Sequence, residues 1–151
     1  MRKIFLAIIA MSFLFPLQAY AVGTCTEEMR DLSPGVKVLE FTCTPDAVDG
    51  SFPYTTSTKN IEGYVFMVVT NPGPRPLTNG YDIWLADSHD LEITGQRLLD
   101  RDEIATQLVV PLVDTAAGLY GSRYVGSKLY LQITNNVSIN TVVVISVYIS
   151  Y

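Results

Sequence analysis

The side chains best equipped for chemistry are concentrated in Asp87-Ser88-His89-Asp90-Leu91-Glu92, where the only histidine stands among three carboxylates. Imidazole nitrogen and carboxylate oxygen ligate divalent cations and move protons, so Asp87, Asp90 and Glu92 are the candidate metal ligands. The competing reading is a solvated turn between strands, because a working site draws its groups from several elements. A second acidic run, Asp100-Arg101-Asp102-Glu103, offers with Asp82 a set of hard oxygen ligands for calcium, but not at the spacing of an EF-hand loop. Nucleophile motifs are missing: there is no G-x-S-x-G, no cysteine expected to stay free, and one histidine for any triad. A carboxylate pair for glycoside hydrolysis would be set by folding and not by sequence spacing. The expectation is a non-enzyme with no cofactor.

Aromatic residues are the other chemical resource. Nine tyrosines accompany a single tryptophan. Trp84 and Tyr130 fall on the faces of their strands opposite the apolar set, which makes them the candidate ligand-binding residues. Exposed rings on a sheet stack on sugars or anchor a protein interface; the alternative is that a second sheet covers them. Asn136-Val137-Ser138 also fits a glycosylation sequon, relevant only to a eukaryotic secretory route.

The elements that must position these groups begin with a leader. Met1-Arg2-Lys3 precedes the apolar run Ile4 to Leu17, broken only by Ser12 and Pro16, and then Gln18-Ala19-Tyr20-Ala21. That order reads as a signal peptide over residues 1–21, cleaved after Ala21, and the apolar run is short of the about 20 residues of a membrane span. Residues 22–151 then form one domain, a size that buries a core without a metal. The expected location is periplasmic, extracellular, or on a cell surface or virion, with no membrane attachment after cleavage. Without Arg2 and Lys3 the 10 basic side chains become eight against 15 acidic ones, a net charge of −7. An acidic surface argues against nucleic acid as a partner. Cys25 and Cys43 are two thiols with nothing left over, expected to form one disulfide in an oxidising compartment.

Val36 to Cys43 alternates between turn signals and reads as a strand. Asp46 to Asn60 reads as a loop. Tyr64-Val65-Phe66-Met67-Val68-Val69 is a nearly unbroken β-prone run, expected of a central strand covered on both faces. Proline-rich Asn71 to Pro76 ends it. Tyr81, Ile83 and Leu85 form one face of the next strand, and Leu98 to Ala105 is the only segment suited to a helical turn. Gln107 to Val113 is a strand whose Pro111 implies an edge or a bulge. Gly118 to Gly126 reads as a loop. Leu129, Leu131 and Ile133 alternate with Lys128, Tyr130 and Gln132, and the last strand runs from Thr141 to Tyr151. No alternating apolar strand is legible between Val22 and Pro34. The fold expected is all-β, an antiparallel β-sandwich or jelly-roll-like arrangement of seven to eight strands.

The row Val143, Ile145, Val147, Ile149 and Tyr151 resembles the closing strand of bacterial outer-membrane barrels, which would imply a small barrel. With the leader and an N-proximal disulfide, the same ending is similar to a fimbrial subunit, which implies an immunoglobulin-like sandwich completed by a donated strand. A broader match covers Gly80-Tyr81-Asp82-Ile83-Trp84-Leu85, Arg101-Asp102, Val109-Val110-Pro111 and Lys128 to Asn136. It resembles small uncharacterised β-proteins of bacteriophage and bacterial genomes, and implies a virion- or surface-associated sandwich with no catalytic residues to carry over. The function expected is surface contact, as a structural or adhesion subunit with a protein partner or self-association. A carbohydrate- or calcium-binding module is the alternative.

Overall fold

The computed structural model describes residues 22–114 and 116–151; the segment 1–21, expected to be a signal peptide, lies outside them. The segments that alternate in sequence become the main strands: β2 (Val36–Thr44), β4 (Ile61–Pro72), β5 (Asp82–Asp87), β10 (Leu129–Thr134) and β11 (Val143–Ser150). Between and around them lie β1 (Thr24–Ser33), β3 (Thr55–Thr56), β6 (Gln107–Val109), β7 (Leu112–Asp114), β8 (Leu119–Tyr120) and β9 (Arg123–Ser127). The eleven strands of the described residues exceed the seven or eight expected, in part because β3 and β8 are two-residue pairings. No helix occurs among the described residues. Leu98 to Ala105 stays irregular because Arg101 bridges back to Tyr81 as a strand partner.

Two antiparallel sheets face each other. The larger runs β1-β2-β11-β4-β6, with β9 also on β4; the smaller runs β3-β10-β5, and β7 and β8 form a separate hairpin. The larger contributes Leu39, Phe41, Val65, Val68, Ile145 and Val147 to the core, and the smaller Ile83, Leu85, Leu129, Leu131 and Ile133. This is an all-β sandwich. The outer-membrane barrel expectation fails on closure. The larger sheet ends at β1 on one side and at β6 and β9 on the other, whereas a barrel has no edges. Tyr151, expected to extend the apolar row of β11, is exposed.

β4 departs from expectation in an instructive way. Its buried positions are Ile61, Gly63 and Val65, then Val68, Thr70 and Pro72, so the phase slips by one residue. The slip is a β-bulge: Tyr148 opposes Met67 while Ile149 opposes Val65, leaving Phe66 unpaired. Both Phe66 and Met67 are turned to the outer side, and the apolar run reflects this change of phase in a strand that is covered on one face only.

Two strands read as non-strands. β1 is polar because it is a sheet edge, and its register on β2 places Cys25 opposite Cys43. Those residues form the expected disulfide, with Cα atoms 4.1 Å apart. On the same side Glu27 accepts the Thr58 N–H, at 2.8 and 2.9 Å from its two oxygens, and holds the loop after β3 against the sheet edge. β9 overlaps the glycine-containing segment Gly118 to Gly126 read as a loop; pairing with β4 makes it a strand, and Val125 is buried. Around Pro111 the chain leaves β4 and re-pairs as β7 with β8, so an edge position was the right reading.

Asn136 is buried. Its amide nitrogen donates to the carbonyls of Gly50 (2.7 Å) and Ser138 (2.9 Å), and its oxygen accepts from Thr78 N–H (3.0 Å). The sequon asparagine therefore serves as an internal clamp between loops. Gly50 takes a φ of +76° there, and any Cβ would lie 2.5 Å from the Val137 backbone.

Arg101 is 7% exposed and has no carboxylate partner. It donates to the Arg97 carbonyl (3.1 Å) and to the Thr70 hydroxyl (3.3 Å), while its Nε is unpaired. Tyr81, its strand partner, is fully buried, its hydroxyl has no hydrogen-bond partner, and burial raises its pKa. A buried hydroxyl without a partner destabilises. Tyr81→Phe is accordingly expected to hold or raise stability by about 1 kcal/mol in urea titrations; a loss of that size would show that the hydroxyl is bonded. Because the disulfide spans 18 residues, the Cys25→Ser/Cys43→Ser double variant is expected to lose about 3 kcal/mol in the same assay.

Candidate functional site

The acidic turn after β5 is built for shape. Asp87 Oδ1 accepts the N–H groups of His89 (2.8 Å) and Leu91 (3.0 Å), which folds the turn back on the strand. The His89 ring is exposed, with Nδ1 3.7 Å from Asp87 Oδ2. Glu92 spends one oxygen on Thr94 N–H (2.9 Å) and hydroxyl and the other on Gln96 N–H (2.7 Å). Asp82 and Asp102 of the second acidic set are spent alike. Asp82 accepts from Asp100 N–H (2.8 Å) and from the Asn135 amide, and Asp102 accepts from Ile104 and Ala105 N–H, which lower its pKa. Among the described residues no three His, Cys, Asp or Glu side chains are grouped to hold a metal ion. The structure thus does not gather Asp87, Asp90 and Glu92 into one group: the turn consumes oxygens of Asp87 and Glu92 on its own backbone N–H groups.

The two aromatic candidates are brought together. On the smaller sheet Leu129, Leu131 and Ile133 point inward, so Tyr130 and Gln132 point outward, opposite Ala86 and Trp84 respectively. Trp84 and Tyr130 are diagonal neighbours on one face, both partly exposed. Sequence reasoning missed a third ring. Tyr54, just before β3, lies with its centroid 5.9 Å from that of Tyr130 and its plane within 28° of parallel, and is 61% exposed. Partial burial raises the Tyr54 hydroxyl pKa, with the charges of Tyr130 and Asp90 adding to the shift. Gln132 is exposed on the middle strand of this face. Tyr54 fell inside a segment without periodicity, and only the pairing of Thr56 with Tyr130 carries it onto the face.

The outer face of the larger sheet was not singled out by sequence. The pairings Tyr64↔Tyr124, Met67↔Tyr148 and Val69↔Leu108 line up side chains on one side, with Phe66 added by the bulge. Tyr64 and Tyr124 meet edge to face at 5.3 Å, and Phe66 and Tyr148 are 6.2 Å apart. Tyr64, Tyr124 and Leu108 are 49%, 56% and 59% exposed. Apart from Glu62 at the start of β4, outward positions on β11, β4, β6 and β9 carry no charge. The charges on this face sit on β1 and β2, where Arg30 binds Glu40 at 2.8 Å and Glu28 at 3.7 Å. At one end of the sheet an open cavity of about 350 Å³ is lined by Met29, Lys37, Ile61, Glu62, Ile149 and Tyr151, with Lys37 Nζ 4.6 Å from the Tyr151 ring centre.

Comparison with known proteins finds no family model and no curated relative that matches the chain. No described helix is long and apolar enough to cross a membrane. The disulfide fits an oxidising, non-cytoplasmic environment.

Asp87→Ala is expected to cost about 1–2 kcal/mol, since two N–H groups lose a charged acceptor. Calcium should move the melting temperature of neither protein, and a calcium-dependent rise in the parent chain lost in the variant would restore the metal reading.

Proposed function

We propose that this chain is an exported, non-enzymatic β-sandwich that works by surface contact, as a self-associating subunit of an extracellular or virion-associated assembly. The observation that carries this reading is the uncharged aromatic face of the larger sheet. A chain with net charge −7 after loss of the leader repels its own copies over most of its surface. The face of Tyr64, Phe66, Met67, Leu108, Tyr124 and Tyr148 is where two copies approach without like-charge contact. Tyrosine, phenylalanine and methionine are also the residues enriched where proteins meet. The uncharged part of the sheet is three strands wide, β11, β4 and the edge shared by β6 and β9, with eight residues in β11. At about 4.8 Å per strand and about 3.4 Å per residue it covers roughly 390 Å² in plan, about half of the ~800 Å² per partner of a stable interface, so the neighbouring β2 and β1, where Arg30 neutralises Glu40, supply the rest of the contact.

Donation of the N-terminal strand is not the mode of assembly proposed. The Cys25–Cys43 bond ties β1 to its own sheet, so it does not leave to complete another copy.

Light scattering on residues 22–151 with the disulfide intact is expected to give a dimer or a larger oligomer. Leu108→Glu/Tyr124→Glu, which alters two exposed edge positions, should give a monomer with an unchanged melting temperature. A monomeric parent chain, or an oligomer indifferent to both substitutions, contradicts the proposal.

A further inference from the structure

We infer that the outer face of the smaller sheet is a binding site for neutral oligosaccharide, with Tyr54, Tyr130 and Trp84 as stacking platforms and Gln132 as the central hydrogen-bonding group. The inference is independent of self-association, which uses the opposite side of the sandwich.

The arrangement fits a sugar on three counts. Pyranose rings present apolar C–H faces edged with hydroxyls, so a matching surface alternates flat aromatic rings with amide and hydroxyl groups. Here Gln132 is paired with Trp84 and lies beside Tyr130 on the same strand face, while Thr56 is the strand partner of Tyr130. Tyr54 and Tyr130 hold nearly parallel planes, 28° apart, as two rings meeting one extended chain would.

Reach is the second count. Tyr54 precedes β3 and Trp84 lies on β5, with β10 between them. Two strand spacings amount to about 10 Å, a span suited to an oligosaccharide rather than a single sugar.

Charge selects the class. Asp82, Asp87 and Asp90 stand on β5 and in its turn, three carboxylates against the one cation Lys128, which directly precedes β10 on the side of Tyr130. Uronates, sulfated glycans and nucleic acid are therefore disfavoured, and a neutral polyol approaches without electrostatic cost. Asp90 is close enough to Tyr54 to act on its hydroxyl, and a carboxylate there is an acceptor for sugar hydroxyls. A protein partner would want a desolvated apolar centre, whereas exposed Gln132 keeps the middle of this face wet.

Trp84 is the only tryptophan, so intrinsic emission reports on this face. Residues 22–151 are to be titrated with cellohexaose, chitohexaose, maltohexaose and mannohexaose, and with oligogalacturonate as the charged control. At least one neutral sugar should shift Trp84 emission saturably, and the uronate should not. Tyr54→Ala, at an exposed position, should weaken that affinity about tenfold, the scale of one lost stacking contact. Gln132→Ala should weaken it while the melting temperature stays fixed. Silence of Trp84 towards all four neutral sugars overturns the inference, as does binding that Tyr54→Ala and Gln132→Ala leave intact. Stronger binding of the uronate overturns the charge argument and with it the ligand class.

Discussion

The pairing of β4 with β11, and the single extra residue it accommodates, sets what both sides of the larger sheet do. β11 lies between β2 and β4 and commits every second side chain, Val143 to Ile149, to the core. Opposite that fixed register β4 holds one residue too many. Had β4 kept strict alternation, the core row of Ile61, Gly63 and Val65 would have continued through Met67 and Val69. The bulge exchanges those for Val68 and Thr70 and places Phe66 and Met67 together outside. It also divides the far edge of β4, so that Ile61 to Val65 pair with β9 and Val68 to Thr70 with β6. The aromatic outer face and the composite sheet edge share that origin.

The two sheets then separate two kinds of surface. The larger presents an aromatic area on β11, β4, β6 and β9 whose rings contact one another, beside the charged β1 and β2, and the smaller presents three rings with an exposed amide among them. Asp87, Glu92 and Asp102 take part in neither, because the turn that closes β5 and the irregular segment up to Ala105 spend them on backbone N–H groups. Self-association through one face would array the other in several copies, and multivalent weak binding gains avidity without new contacts.

Legibility followed burial. β2, β5, β10 and β11 were readable because one face of each meets the core, and the alternation of Tyr81, Ile83 and Leu85 or of Leu129, Leu131 and Ile133 records that directly. The disulfide was readable because two thiols leave one pairing. β1 and β9 were not: an edge strand buries little, so Thr24 to Ser33 is polar and Arg123 to Ser127 holds a glycine, and only their partners make them strands. The bulge was hidden because an apolar run looks the same with or without a change of phase. Of the candidate residues, Trp84 and Tyr130 could be placed on the outer face from strand parity alone. Tyr54 needed the tertiary pairing of β3, and the grouping of Asp87, Asp90 and Glu92 dissolved because proximity in sequence says nothing of what each oxygen accepts.

The central claim is that the outer face of the larger sheet is covered by a second copy. Hydroxyl-radical footprinting of residues 22–151 at rising protein concentration reads side-chain accessibility residue by residue. Tyr64 and Tyr124 should become protected as concentration rises, while exposed Tyr54, on the other sheet, keeps a constant rate. Equal and constant oxidation of all three would contradict it.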